Sequence, residues 1–442
     1  MTWLDRRFDL SAHGTTVRTE TLAGVTTFLT MAYIIFVQPA VLGAAGMNFG
    51  AVLVATCLAS AFATALMGLL ANYPIAVAPG MGHNFFFAYS VVIAMKVPWQ
   101  VALGAVAVAG IVFVLTAGVG LREHLITAIP DSIKHAIGAG IGLLVATIGL
   151  EWAGIVVAAP GTLVALGNLH SRPVVLALAA LTLTSILMAR RVPGAILWGI
   201  LASTAIALPL GVVRYHGLAS APPSLAPTLL KLDLAGAFAP GMIAVVFVFF
   251  LIALFDSIGT LVGVGEQAGL MRDGTLPRAR QALLADALGT VAGALLGTST
   301  VTAYIESGAG VSAGGRTGLA SLVTAALFLL SLFLFPLVRM IGGGYETSSG
   351  TMLYPIIAPP LILVGTMMIG ALRHVRWEDP TESIPAFLTA IMMPLAVSIT
   401  EGVAFGIIAY VLLKAVTGRA REAHPLIYVF AAVFLVRYVF LR

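Results

Sequence analysis

The chain has 442 residues, of which 60% are hydrophobic and only 9% charged, with a formal net charge of +5. A soluble domain carries about 25% charged residues, so this composition excludes a soluble globular protein and indicates an all-α polytopic membrane protein embedded in the lipid bilayer. The single cysteine, Cys57, lies in an apolar run and excludes a disulfide framework or a cysteine metal site.

Seven apolar segments are expected in the first half: 21–44, 50–70, a broken 74–96, 98–119, 133–151, 172–189 and 192–213. The Pro-rich stretch Gly217 to Pro240 follows and reads as the connection between halves. Seven more then come at 240–266, 280–297, a broken 298–313, 316–341, 353–372, 383–397 and 400–417. The expected fold is therefore fourteen spans, arranged as two inverted seven-span repeats with short β-strand breaks in spans 3 and 10. An odd number per half gives the halves opposite topology, a plan common among secondary transporters. The segment Pro425 to Leu441 has no counterpart in the first half and reads as an interfacial helix or one packed on the bundle.

Charge follows this threading. With the amino terminus in the cytoplasm, Arg6, Arg7, Arg18, Arg122, Lys134, Arg190, Arg191, Arg272, Arg278 and Arg280 fall inside with most other basic residues. Lys96, Arg172, Arg214, Lys231 and Arg339 fall outside. The skew matches the positive-inside rule and predicts a multi-pass protein of the inner (plasma) membrane. The basic residues serve orientation, so no nucleic-acid partner is expected.

Internal similarity marks the functional region. Gly68 to Gly82 aligns without gaps with Ala294 to Gly308, setting Gly80 opposite Glu306, and Ala45-Gly46-Met47 matches Ala268-Gly269-Leu270. The second anchor sets Tyr33 opposite Asp256. Pro193 to Gly199 matches Thr400 to Gly406 more loosely. Irregular backbone at membrane depth is tolerated only where it lines a cavity or is buried in protein. Two such breaks at matching positions of two halves point to a binding site.

Asp256 lies inside the apolar run Phe247 to Thr260, and a mid-span carboxylate costs about 2.5–3.5 kcal/mol to insert. It must face the bundle interior, as a ligand or bonded to neighbouring groups. Glu306 starts the half-helix of span 10 and reads as a ligand or as a helix N-terminal charge. Asp286 is expected to be an interhelical hydrogen-bond partner, and Glu401 a favourable charge at the start of span 14. The run Pro79 to Phe87 adds Gly82, His83, Asn84 and the aromatic Phe85. His83 reads as a packing residue or a proton relay. Together these residues suit a neutral planar cargo, held by an acid on one side and amide groups on the other. No Walker loop, nucleophile–base pair or metal-ligand spacing is present in the sequence, so neither cofactor nor metal is expected and the protein is not read as an enzyme.

At Ala78 to Asn84, Gly140 to Leu143, Phe255 to Thr260 and Ala285 to Gly318, the chain resembles the nucleobase–cation symporter-2 superfamily, in particular its azaguanine-resistance-like guanine, hypoxanthine and adenine permeases. The resemblance spans nearly the whole chain. It implies a core domain (1–119 and 240–341) and a gate domain (120–239 and 342–442, including the linker and the C-terminal segment). It also implies purine uptake by proton symport with an elevator motion, and a homodimer. The family's binding asparagine falls on Asn84 and its carboxylates on Asp256 and Glu306, which are then the proton-coupling residues. Tyr33, Gly82, His83, Phe85 and Thr302 complete the expected substrate-binding set. Two departures bear on coupling and substrate choice. Ala253 stands where a second acid is common, and His83 where an aliphatic residue is usual. The alternatives are an anion carrier of sulfate or bicarbonate type on the same fold, and an uncoupled purine facilitator.

Overall fold

The computed structural model describes residues 3–119, 130–159, 161–271, 276–347 and 350–440. Arg122, Arg272 and Arg442 lie outside them. Among the described residues, eight helical segments are long and apolar enough to cross a membrane, and shorter apolar helices accompany them. The chain is mostly helical, as the composition predicts.

Two packed groups of helices account for most of the structure. The first contains α1 (Trp3–Phe8), α2 (Val17–Met31), α3 (Ile34–Ala44), α4 (Phe49–Leu66), α5 (Met81–Phe85) and α6 (Trp99–Val119). From the second half it takes α10 (Met242–Gln267), α11 (Ala279–Leu296), α12 (Ser307–Ser312), α13 (Gly318–Ser331) and α14 (Phe335–Gly342). Here α13 packs on α2 and α4, and α11 on α6 and α4. The second group contains α7 (Asp131–Trp152), α8 (Arg172–Ala189) and α9 (Ala195–Ala207), and then α15 (Ala358–Ile369), α16 (Pro380–Ala396), α17 (Ile399–Val416) and α18 (Pro425–Phe440). In this group α7 packs against α15, α16 and α17. Each group therefore combines helices from both halves of the sequence.

Helix ends follow their local chemistry. Asn48 accepts from the Ala51 amide at 3.0 Å and opens α4, and Thr16 does the same for α2 through Thr19 at 3.2 Å. Such caps satisfy amides that have no partner within the helix. The first apolar segment is not one continuous helix but breaks at Ala32–Tyr33, between α2 and α3. Gly297 ends α11 at φ +99°, and a Cβ there would lie 2.2 Å from the Thr228 Cβ. Only glycine satisfies both that backbone angle and that approach.

Two short strands cross at the middle of the first group. β1 (Val77–Pro79) pairs antiparallel with β4 (Val301–Ala303), with Ala78 opposite Thr302, while β2 (Val156–Ala159) and β3 (Leu163–Leu166) form a separate antiparallel pair. Every residue of β1 and β4 is buried, so each backbone group needs a partner. Threonines from the preceding helices supply them. Thr64 Oγ1 donates to the Val77 carbonyl at 2.8 Å, and Thr290 Oγ1 donates to the Val301 carbonyl at 2.7 Å. Thr64 and Thr290 stand at equivalent positions four residues before the start of the internal alignment. Tyr304 closes the crossing by donating its hydroxyl to the Pro79 carbonyl at 2.5 Å.

The second group is tied at one end by a charge network. Lys414 is fully buried and contacts Glu382 at 3.1 Å and Glu422 at 2.9 Å. Arg419 reaches Asp379 and Glu422, each at 2.8 Å. Hydrogen bonds from Thr381 and Arg419 hold the Asp379 carboxyl down to about 2, and those from Arg419 and Lys414 do the same for Glu422, also about 2. The sequence leaves the segment 425–441 either interfacial or packed on the bundle. Here α18 packs on α17, and its Phe430 ring also lies 4.9 Å from Phe247 of α10. Its Tyr438 hydroxyl bonds Glu401, so the acid at the start of α17 also anchors the last helix.

Candidate functional site

The strand crossing ends at two half-helices. Gly80 occupies the N-cap of α5 and Glu306 the N-cap of α12. The two positions aligned in the sequence thus do the same structural work, one with bare backbone and one with a carboxylate. The Glu306 side chain does not cap its own helix. It accepts instead from the Tyr33 hydroxyl at 2.6 Å. Tyr33 can reach it because it stands at the break between α2 and α3, where the chain turns toward the crossing.

A cavity of about 90 Å³ opens here, lined among others by Tyr33, Gly80, Gly82, Asp256, Thr302 and Glu306. Two carboxylates on separate elements, a phenol and a glycine-exposed backbone face one small space. Asp256 comes from α10, and the Thr302 hydroxyl stands beside it. Behind them, Ser257 Oγ lies 3.2 Å from Thr302 Oγ1 and donates to Asp286 of α11. Asp286 is thus an interhelical partner, as its sequence context suggested. It is fully buried and does not line the cavity.

A second cavity of about 340 Å³ adjoins the first, sharing Gly82, Asp256, Thr260, Ile305 and Met368 with it. His83 belongs to its wall. That imidazole is buried, and neither ring nitrogen has a hydrogen-bond partner. A satisfied packing histidine is therefore not what the structure contains. A third cavity of about 610 Å³ reaches Glu306 from the Gln267 end of α10 and also touches Thr26, Thr30, Arg191 and Ile305.

Two expected contacts sit elsewhere. Asn84 does not line these cavities. Its Oδ1 accepts from Ser299, and Gln38 Nε2 donates to the same Ser299 oxygen at 3.0 Å and to Thr298 at 2.9 Å. Asn84 is one helical step past His83, which turns it into the first group and away from the open space. Phe85 is likewise fully buried. It packs 5.7 Å from the Tyr89 ring and 6.2 Å from Trp152, so it is occupied by protein aromatics. Sequence reasoning missed Val364 and Met368, which enter the small cavity from α15. No sequence signal marked them, because apolar residues in an apolar helix look alike until packing selects a face.

The Permease family matches residues 18–405. The chain belongs to this family. The permease is 47% identical over 439 residues to the adenine permease AdeP of Escherichia coli K12, covering 99% of this chain and 96% of the relative. It is 44% identical over 436 residues to the guanine/hypoxanthine permease PbuO of Bacillus subtilis, covering 97% and 99%. Its fold is similar to the transmembrane domain of the cyanobacterial bicarbonate transporter BicA, with a TM-score of 0.62 at 18% identity over 87% of this chain and 97% of that one. This is an integral membrane permease and not an enzyme.

Proposed function

We propose that this permease imports purine nucleobases of the adenine, guanine and hypoxanthine class in symport with protons. The observation that carries the reading is the pair Asp256 and Glu306, on separate elements of one helix group, facing a single small cavity at the strand crossing. A purine is a neutral, flat array of donors and acceptors. Carboxylates accept from its N–H groups, while the amide of Gly82 in the first turn of α5 and the Thr302 hydroxyl serve its remaining polar edge. The long, similar relatives named for purines support the same class.

Proton coupling follows from charge. Two carboxylates lining one small space repel each other, so occupancy by cargo favours a protonated partner. Glu306 and Asp256 are the proposed proton carriers. Glu306 borders both the small cavity and the 610 Å³ vestibule, and a proton leaving it has a path to that vestibule. His83, with both nitrogens unpartnered, supplies a further donor or acceptor at the neighbouring cavity. Asn84 acts in this reading by holding Ser299 and the loop before β4.

The two helix groups are the proposed core (1–119 and 240–341) and gate (120–239 and 342–442), arranged as fourteen spans in two inverted repeats, with the N-terminus in the cytoplasm. Every polar group lining the small cavity belongs to the first group, so the core can carry its cargo along the gate without breaking those bonds. That is the physical basis of the proposed elevator motion. A homodimer completes the proposal.

An anion carrier is the rival reading, since the fold is shared with a protein named as a bicarbonate transporter. Two carboxylates lining the cavity disfavour an anionic cargo. The deciding experiment is uptake of labelled adenine, guanine, hypoxanthine and uracil into proteoliposomes, with and without an inward proton gradient. Purine accumulation that collapses with the gradient is the expected result. Equilibration without accumulation leaves an uncoupled facilitator. No purine uptake, together with anion-driven flux, overturns the reading.

A further inference from the structure

We propose that Met368 determines which purines fit, acting as a movable partition between the two cavities at the site; the inference rests on the purine reading above. The small cavity takes its polar lining from the first helix group, and the second group contributes only Val364 and Met368. Of these two, Met368 alone also lines the 340 Å³ cavity. It stands where the two spaces meet, with Gly82, Asp256, Thr260 and Ile305.

The backbone that presents Met368 is fixed. A Cβ on Gly142 of α7 would lie 2.6 Å from the Met368 Cβ and 2.8 Å from the Gly365 carbonyl, and a Cβ on Gly365 would lie 2.4 Å from the Gly142 carbonyl. Helices α7 and α15 therefore meet backbone to backbone, three residues before Met368, which leaves its stem little freedom. The end of the side chain is different. Methionine is unbranched and adapts to irregular gaps, so the thioether can swing where a β-branched residue could not. In the observed position it separates a 90 Å³ space from a 340 Å³ space. Shortened, it joins them on the side away from Glu306 and Tyr33. The core thus sets which polar edge is bound, and Met368 sets how large the opposite edge of the purine can be.

The test compares wild type with Met368→Ala and Met368→Cys in proteoliposomes. Competitors of labelled adenine uptake are unlabelled adenine and purines bearing a benzyl group at N6, C8 or N9. The readout is each competitor's inhibition constant relative to that of adenine, in the same protein. For at least one benzyl purine this ratio is expected to fall at least tenfold in either variant. Methyl methanethiosulfonate on Met368→Cys forms a side chain close to methionine in shape and is expected to restore the wild-type ratio; wild type treated alike controls for Cys57. Unchanged ratios across the panel, in folded variants that still take up adenine, overturn the role of Met368 and leave the purine reading intact. Should Met368→Ala fail to fold, the cysteine variant before and after modification decides the question. Wild type that takes up no purine overturns both.

Discussion

Ser90 Oγ donates to the Val397 carbonyl at 2.8 Å, joining the π-helical run Phe86–Ala94 of the first helix group to the turn between α16 and α17 of the second. Val397 reaches this position by adopting φ +48°, an unusual conformation for a β-branched residue. Trp152 Nε1 adds a second link, donating to the Tyr89 hydroxyl at 2.8 Å. A cavity of about 180 Å³ beside Ser90 borders Gly241 at the start of α10, whereas the 610 Å³ vestibule borders Gln267 at its end. The two groups are thus hydrogen-bonded beside the start of α10, while the larger cavity lies between them near its end, the asymmetry expected of one extreme of the proposed alternating-access cycle.

Removing the Ser90 hydroxyl is expected to shift that balance. A neutral hydrogen bond contributes about 0.5–1.5 kcal/mol, which is roughly a two- to tenfold change in population. In a Ser90→Ala background, a cysteine placed at Ala244 should react with an impermeant thiol reagent faster by that factor. An unchanged rate means the contact does not hold the observed state.

The Tyr33–Glu306 bond is expected to matter for transport more than for folding. Tyr33→Phe removes a donor to a carboxylate, an interaction of about 1.5–3 kcal/mol, and should lower kcat/KM for purine uptake by at least tenfold. Glu306→Gln keeps an acceptor but cannot ionise. It should retain some cargo binding while losing accumulation driven by a proton gradient. If Glu306→Gln and Asp256→Asn both transport at the wild-type rate with unchanged pH dependence, the coupling scheme is wrong.

Lys414 offers a test of stability. Replacing it with methionine leaves the buried Glu382 with only the exposed Arg376, 3.1 Å away, as its ion partner, so the loss approaches but does not exceed the roughly 3–5 kcal/mol of a fully broken buried pair. The thermal midpoint of the detergent-solubilised protein should fall clearly. The double variant Lys414→Met with Glu382→Leu should recover much of the loss, because no buried carboxylate is then left without a buried partner. Equal midpoints for the two variants would show that the charge is relieved in another way.

The same end of the molecule gives a pH prediction. Asp379 and Glu422 have folded values of about 2, below their ordinary 3.8 and 4.5. Groups depressed on folding contribute stability above their unfolded values and lose it as pH falls through the folded ones. Their contribution should therefore be complete above about pH 5 and fade toward pH 2. Arg419→Gln should flatten that acid limb in a thermal-shift series. An identical acid limb in the variant would assign the loss to other groups.

Close helix contact is the last point of test. Gly142 and Gly365 leave no room for a Cβ between α7 and α15. Gly365→Val should push the helices apart and destabilise the protein by at least 1–3 kcal/mol, the usual cost of overpacking, read as a lower thermal midpoint. A midpoint at the wild-type value would show that the helices separate freely.

Much of this protein was legible in its sequence because lipid imposes simple rules. Apolar length marks helices, and a carboxylate or broken backbone in hydrocarbon must be buried in protein or line a cavity. Those rules, with the internal alignment, singled out Asp256, Glu306 and Gly80, which the fold brings to one crossing. They also marked Asn84 and Phe85, whose contacts lie with Ser299 and Trp152 instead. A run such as Gly82-His83-Asn84-Phe85 states composition, and only helix rotation decides which member faces open space. Met368 and Ser90 were invisible for a related reason. Their partners are hundreds of residues away or on the other helix group, and the packing that brings them together is a property of tertiary structure rather than of any local pattern.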